Sequence, residues 1–226
     1  MTLEPSVFKF LEELKTNNNR DWFQENKSIF KEKELFVKSF FGEIYHGLNL
    51  TDNIEAYKIW RIYRDVRFTK DKTPYKTWFS GVFTRATQLA RGSYYLHIEP
   101  GSTIVGGGFY APEKSDLLRI RKEFEQSDTS IRQIIRNPLF KACFPNGLEG
   151  DGVKFAPKGF DKNHKAIDLI RKKQFYSVRR FTDDEVLKPG FDKEVINTFL
   201  ALRPFFDYMS SVLTTDLNGT PLYNLD

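Results

Sequence analysis

Seven Lys and Arg residues and only two Asp lie within residues 58–76, KIWRIYRDVRFTKDKTPYK, a local excess of five positive charges. The whole chain also carries +5, so its remaining residues sum to zero. Charge concentrated in this way attracts phosphate and carboxylate groups. Arg61, Arg64 and Arg67 offer guanidinium forks that suit planar oxyanions, and Lys70, Lys72 and Lys76 add point charges. Asp65 and Asp71 sit among these cations. Asp65 is placed to orient an arginine or to serve as a base, and carboxylates so surrounded titrate low.

A second group follows on a predicted strand. His97 and Glu99 lie two residues apart, hence on one face, with Tyr95 beside them. His97 is a candidate general base and Glu99 a candidate ligand contact. The pair has metal-ligand spacing, yet no motif ties the other histidines, His46 and His164, to it, so no metal site is expected. Gly106, Gly107 and Gly108 lie inside a strand pattern and lack the Gly-Lys-Ser/Thr ending of a phosphate loop. Close approach of another backbone explains them better, although a strand without side chains also suits a pocket floor. No nucleophile elbow, zinc-type cysteine pair or kinase set occurs, so no motif names a reaction or a cofactor.

The elements that must position these residues are legible from periodicity. Residues 6–14 space Val7, Phe10, Leu11 and Leu14 as a helix. Asn19 is a predicted N-cap for one long helix reaching Gly47, with Phe23, Phe30, Val37, Phe40, Phe41 and Ile44 on its apolar side. Residues 59–68 alternate, which predicts a strand burying Trp60, Ile62, Val66 and Phe68. Arg64 breaks its pattern and is expected to be largely buried and paired. Further strands are predicted at 76–84, 93–99 and 103–110. Glu99-Pro100-Gly101-Ser102 suits a type II turn joining the last two through a loop longer than a tight hairpin.

Helices are expected at 112–126 and 128–136, and a short one capped by Asp161 and running to Arg171. A strand follows near 174–180. A final helix at 191–213 should kink or restart at Pro204. A second basic stretch, 154–180, holds nine Lys and Arg against two Asp. With 226 residues, 40% hydrophobic content, 22 Phe and no repeat or linker, the chain reads as a single α+β domain over 1–226. Its central antiparallel sheet is covered by N- and C-terminal helices. Cys143, the lone cysteine, sits between Ala142 and Phe144 and reads as a small buried hydrophobe. No signal peptide or membrane span is expected, and the cytoplasm is the default location.

The segment RIYRDVRFTKDKTPYKT at 61–77 resembles the signature of the family called domain of unknown function 2461, conserved hypothetical proteins of bacteria and fungi. YLHIEP at 95–100, GGGFY at 106–110, and PKGFD at 157–161 with His164 match the same pattern. The resemblance spans most of the chain and implies no established activity. From the residues, the leading reading is a basic cleft for a small phosphate- or carboxylate-bearing ligand, edged by Arg61, Arg67, Lys72 and Lys76 and completed by His97 and Glu99. The alternative is a structural or interaction module whose charges form internal ion pairs. Nucleic-acid binding comes third, since most of the aromatics interleaved with the basic residues should be core. Limited proteolysis is expected to leave one resistant species; two stable halves would contradict the single-domain reading.

Overall fold

The computed structural model describes residues 1–86 and 89–222. Its elements run α1 (Pro5–Thr16), α2 (Arg20–Glu25), α3 (Lys27–Leu48), β1 (Ile54–Ile59), β2 (Phe79–Arg85), β3 (Ser93–Ile98) and β4 (Thr103–Phe109). They continue with α4 (Lys114–Gln126), α5 (Thr129–Arg136), α6 (Pro138–Cys143), α7 (Ile167–Ile170), β5 (Phe175–Phe181), α8 (Asp183–Val186) and α9 (Phe191–Thr214). The five strands form one antiparallel sheet in the order β1-β2-β3-β4-β5, and the fold is α+β. Among the described residues no helix is long and apolar enough to cross a membrane.

The chain groups into two compact units. The first comprises residues 1–84, 95–105 and 180–197, and the second residues 85–94, 106–179 and 198–226. In the first, α3 presents Val37, Phe40, Phe41 and Ile44, all fully buried. Phe30 stacks on Phe79 at 6.2 Å, Phe41 on Phe83 at 5.4 Å, and Phe40 on Phe191 at 6.0 Å. Burying each such ring is worth about 1.5–3 kcal/mol. In the second unit, Tyr94 meets Phe199 and Phe206 at 4.9 and 4.8 Å, and Phe124 meets Phe175 edge-on at 5.7 Å. A buried arginine, Arg85, joins that core and pairs with Asp207 at 2.7 Å.

Three of the four strands predicted between 59 and 110 stand within three residues of their expected limits, as β2, β3 and β4. Ser102 N–H donates to the Glu99 carbonyl at 3.0 Å and Gly101 has φ 75°, the geometry of the type II turn that joins β3 to β4. The run 59–68 is different. Pairing with β2 ends at Trp60, whose N–H donates to the Ser80 carbonyl at 2.9 Å, Phe68 is 92% exposed, and only Ile62 of the four expected hydrophobes is buried.

Other differences have local causes. The long helix from Asn19 breaks at Asn26, whose φ of −99° and ψ of 12° end α2, while its amide donates to the Trp22 carbonyl. Asn19 does cap, accepting from Trp22 N–H at 3.0 Å. The helix expected from Asp161 shrinks to α7. Asp161 instead accepts from Asn163 N–H and His164 Nδ1 from Ala166 N–H, giving turns where a helix was expected. α9 runs unbroken through Pro204. Phe199, Leu202, Phe205 and Phe206, all fully buried, hold it helical against a cost of about 3 kcal/mol. Cys143 is half-buried.

The glycine run has a packing reason. A Cβ on Gly106 would collide with the Ser177 carbonyl oxygen and stand 2.8 Å from Val178 Cγ1, while one on Gly107 would lie 2.6 Å from the Ser93 carbonyl oxygen. Close backbone approach therefore accounts for both glycines. β5 is in turn flanked by an isolated antiparallel bridge, Glu149 to Tyr176, in which Glu149 N–H donates to the Tyr176 carbonyl at 2.7 Å. Gly106→Ala is expected to destabilise the protein by about 1–3 kcal/mol in urea unfolding, because the obstruction is backbone and cannot rotate away. An unchanged midpoint would show that the strand has room.

Candidate functional site

The basic segment is an arm leaving the sheet after β1 and returning before β2. Its stem is a single antiparallel bridge, Tyr63 to Tyr75, with Arg64 N–H donating to the Pro74 carbonyl and Lys76 N–H to the Ile62 carbonyl. Pro74 has no N–H, so the ladder cannot lengthen there. Asn18, in the turn between α1 and α2, completes the stem as a third strand would. Its amide donates to the Tyr75 carbonyl at 2.9 Å and its carbonyl accepts the Tyr75 N–H at 3.1 Å. Phe23 then stacks on the Tyr75 ring at 3.9 Å and 17°.

Beyond the stem, the charges organise one another. Arg67 grips Asp65 through two donors, Nε at 2.9 Å and Nη2 at 2.7 Å. Arg64 pairs with Asp71 and also reaches the Thr73 hydroxyl. Thr73 N–H and Oγ1 both donate to Asp71 Oδ1, which closes an Asx turn. Lys72 Nζ donates to the Val66 carbonyl at 2.8 Å and Lys76 Nζ to the Arg61 carbonyl at 2.9 Å. Arg61 and Lys70 are exposed, and neither side chain has a hydrogen-bond or ion-pair partner among the described residues.

Arg64 is paired as the sequence suggests but keeps 22% of its side chain exposed, and its Asp71 partner is 57% exposed. Losing that pair should cost far less than breaking a buried pair, because solvent screens it. Asp65 is exposed and its acid form is disfavoured by the Arg67 guanidinium, which lowers its pKa to about 2. It orients Arg67 and is a poor proton acceptor near neutral pH. The Thr73 N–H, then Arg64, lower Asp71 likewise to about 2. Burial lowers the Lys76 pKa.

The second feature is a row of side chains on β3. Tyr94, Leu96 and Ile98 are fully buried, so the strand's alternation turns Tyr95 and His97 to the opposite face, with Glu99 next beyond the strand end. Tyr95 OH lies 3.0 Å from His97 Nδ1, and His97 Nε2 lies 2.9 Å from Glu99 Oε2. With neutral imidazole, the phenol donates to Nδ1 and Nε2–H donates to the carboxylate. Thr77 Oγ1 donates to Glu99 Oε1 at 3.3 Å. Four side chains thus form one continuous line. Trp78 lies flat against His97 at 5.5 Å, Trp60 leans on Tyr95 at 5.8 Å, and burial raises the Tyr95 pKa.

Glu99 ends this line in a cavity of about 210 Å³ lined by Leu11, Glu12, Lys15, Thr77, Glu99, Pro100, Gly101 and Asp183. None of Arg61, Arg64, Arg67, Lys70, Lys72 or Lys76 lines it. The sequence pointed to His97 and Glu99 and missed their surroundings. Trp78 and Thr77 come from the approach to β2, Glu12 and Lys15 from α1, and Asp183 from the first turn of α8. Among the described residues no group of three His, Cys, Asp or Glu is arranged to hold a metal ion.

The chain belongs to the family described as conserved hypothetical protein, domain of unknown function 2461, whose model matches residues 6–208. No curated protein and no solved structure matches it.

The low Asp65 and Asp71 values fix a pH dependence of the arm. Both folded values lie below the unfolded value of about 3.9. The ordering they supply is therefore complete above pH 4 and is lost as pH falls toward 2. Carboxyl carbon NMR titration should place both midpoints near 2, and Arg67→Ala should move Asp65 upward while leaving Asp71 in place. Normal midpoints for both carboxylates would mean that the pairs do not persist in solution.

Proposed function

We propose that this protein binds a small anionic group, a phosphate or carboxylate, on the arm at 60–77. The observation that carries the reading is an excess of four positive charges on an arm whose two carboxylates are each committed to an arginine. The Asp65 and Asp71 pairs bias two guanidinium planes toward one orientation before any ligand arrives, which lowers the ordering cost of binding. Lys72 and Lys76 are tethered to backbone carbonyls, so their ammonium groups are also placed. Arg61 and Lys70 remain as unpartnered donors at the surface. In this reading Asp65 serves the arginine and carries no chemical step.

A second reading is favoured by one specific observation. Phe68 is 92% exposed with the Arg67 guanidinium 5.6 Å over its ring, which suits an interaction module docking on an acidic macromolecule. A nucleic-acid partner would add a steep loss of affinity with salt, one factor per phosphate neutralised.

Calorimetric titration with phosphate, pyrophosphate and malonate tests the first reading. At least one should bind the parent protein, more weakly as salt rises. Arg61→Ala and Lys70→Ala should each weaken binding several-fold while shifting the unliganded stability by less than about 0.5 kcal/mol. If none of the three anions binds, or both variants bind as the parent does, the anion reading fails and the docking reading replaces it.

A further inference from the structure

The cavity that receives Glu99 shares only Thr77, at the root of the arm, with that segment and has a different chemistry. Its volume of about 210 Å³ equals roughly seven waters, enough for one small organic molecule. Leu11 and Pro100 give it apolar walls, and its charged lining is Glu12, Glu99 and Asp183 against Lys15 alone. A net negative recess in a chain of net charge +5 is a local inversion that disfavours the very anions the arm attracts.

The lining falls into two sets. Two acceptors are fixed in place. Glu99 is held by His97 Nε2 at 2.9 Å and Thr77 Oγ1 at 3.3 Å, and behind His97 the line continues to Tyr95. Asp183 is held through Oδ1 by the Gly101 N–H at 2.8 Å, and its Oδ2 has no partner among the described residues. The other two groups are exposed. Glu12 and Lys15, one helical turn apart on α1, carry opposite charges, and neither side chain has a hydrogen-bond or ion-pair partner among the described residues. Oriented acceptors beside unspent charges of both signs match a ligand that itself carries both signs. The three carboxylates are not arranged as a metal-binding group, so the complementary cation is one that donates hydrogen bonds in several directions, an ammonium.

We propose that this cavity binds a small zwitterion of the α-amino acid class, preferring one with a basic side chain. The α-ammonium sits between Glu99 and Asp183, and the carboxylate pairs with Lys15. Glu12 then faces the substituent, which sets the preference: an added positive charge is attracted and an added negative charge repelled. Glu99 is the contacting carboxylate, and His97 acts through it as a positioning residue by fixing the plane of its oxygens.

Calorimetry and thermal shift with L-arginine, L-lysine, glycine and L-glutamate, with ethylamine and acetate as single-charge probes, decide the matter. Arginine or lysine should bind the parent tightest, glycine more weakly and glutamate weakest, with both single-charge probes at least tenfold weaker than the best amino acid. Glu99→Gln and Lys15→Met should each cost tenfold or more in affinity. Lys15 lies on the surface of α1, so its variant stays informative even where Glu99→Gln lowers stability. The proposal is overturned if no amino acid binds, if both variants bind as the parent does, or if acetate matches the best amino acid. A preference for glutamate would overturn the role given to Glu12.

Discussion

The pleat of β3 is the constraint from which the candidate site follows. Tyr94, Leu96 and Ile98 are fully buried, and a strand places successive side chains on opposite faces. Tyr95, His97 and Glu99 are then obliged to stand in a row, close enough for each to reach the next. A slip of one residue would exchange the two sets, exposing three large hydrophobes and burying a histidine and a carboxylate together. The energy that fixes the row is supplied by apolar neighbours which take no part in it. The type II turn at Glu99-Pro100-Gly101-Ser102 adds the second restraint, since it stops the strand where the carboxylate meets the cavity.

The arm is ordered by other means. It has almost no core and makes only one backbone bridge of its own. Its shape comes from polar groups used against each other: Asn18 on Tyr75, Asp71 on Arg64 and Thr73, Asp65 on Arg67, two lysines on carbonyl oxygens. Most of these contacts are solvent-exposed and individually weak, so the clasp from Asn18 and the Phe23–Tyr75 stack anchor the arm at its root. This division between a firm stem and a loosely bonded, charged tip suits a surface that must meet a partner without rebuilding the sheet.

Much of this was legible in the sequence, and the failures have a common cause. β3 was visible because it alternates strictly between buried and less buried positions, whereas β2 and β4, buried along most of their length, were marked by apolar content between turn signals. The same alternation misled at 59–68, where Trp60, Ile62, Val66 and Phe68 mimic an inward face. Trp60 and Phe68 are exposed, and Arg64 marks a change of role, not a buried charge in a strand. Likewise nothing in the apolar pattern of residues 20–47 signals the break at Asn26, which a side-chain amide closing its own helix end produces. His97 and Glu99 could be paired from their spacing alone. The cavity beside them draws on residues 12, 15, 77 and 183, whose proximity is a property of the tertiary fold and leaves no local signature.

The bridge between Glu149 and Tyr176 bears on how copies of this chain behave at high concentration. β5 closes one end of the strand order, and an end strand ordinarily presents free N–H and C=O groups to any passing extended segment. Here residue 149 of the same chain already occupies the Tyr176 carbonyl, and a second bridge, Gly152 to Lys172, continues the cover outside β5. β1 closes the other end and carries exposed Glu55 and Lys58 along a strand of six residues. One border is masked by the chain's own backbone and the other is short and charged, so cross-strand polymerisation meets a barrier at both.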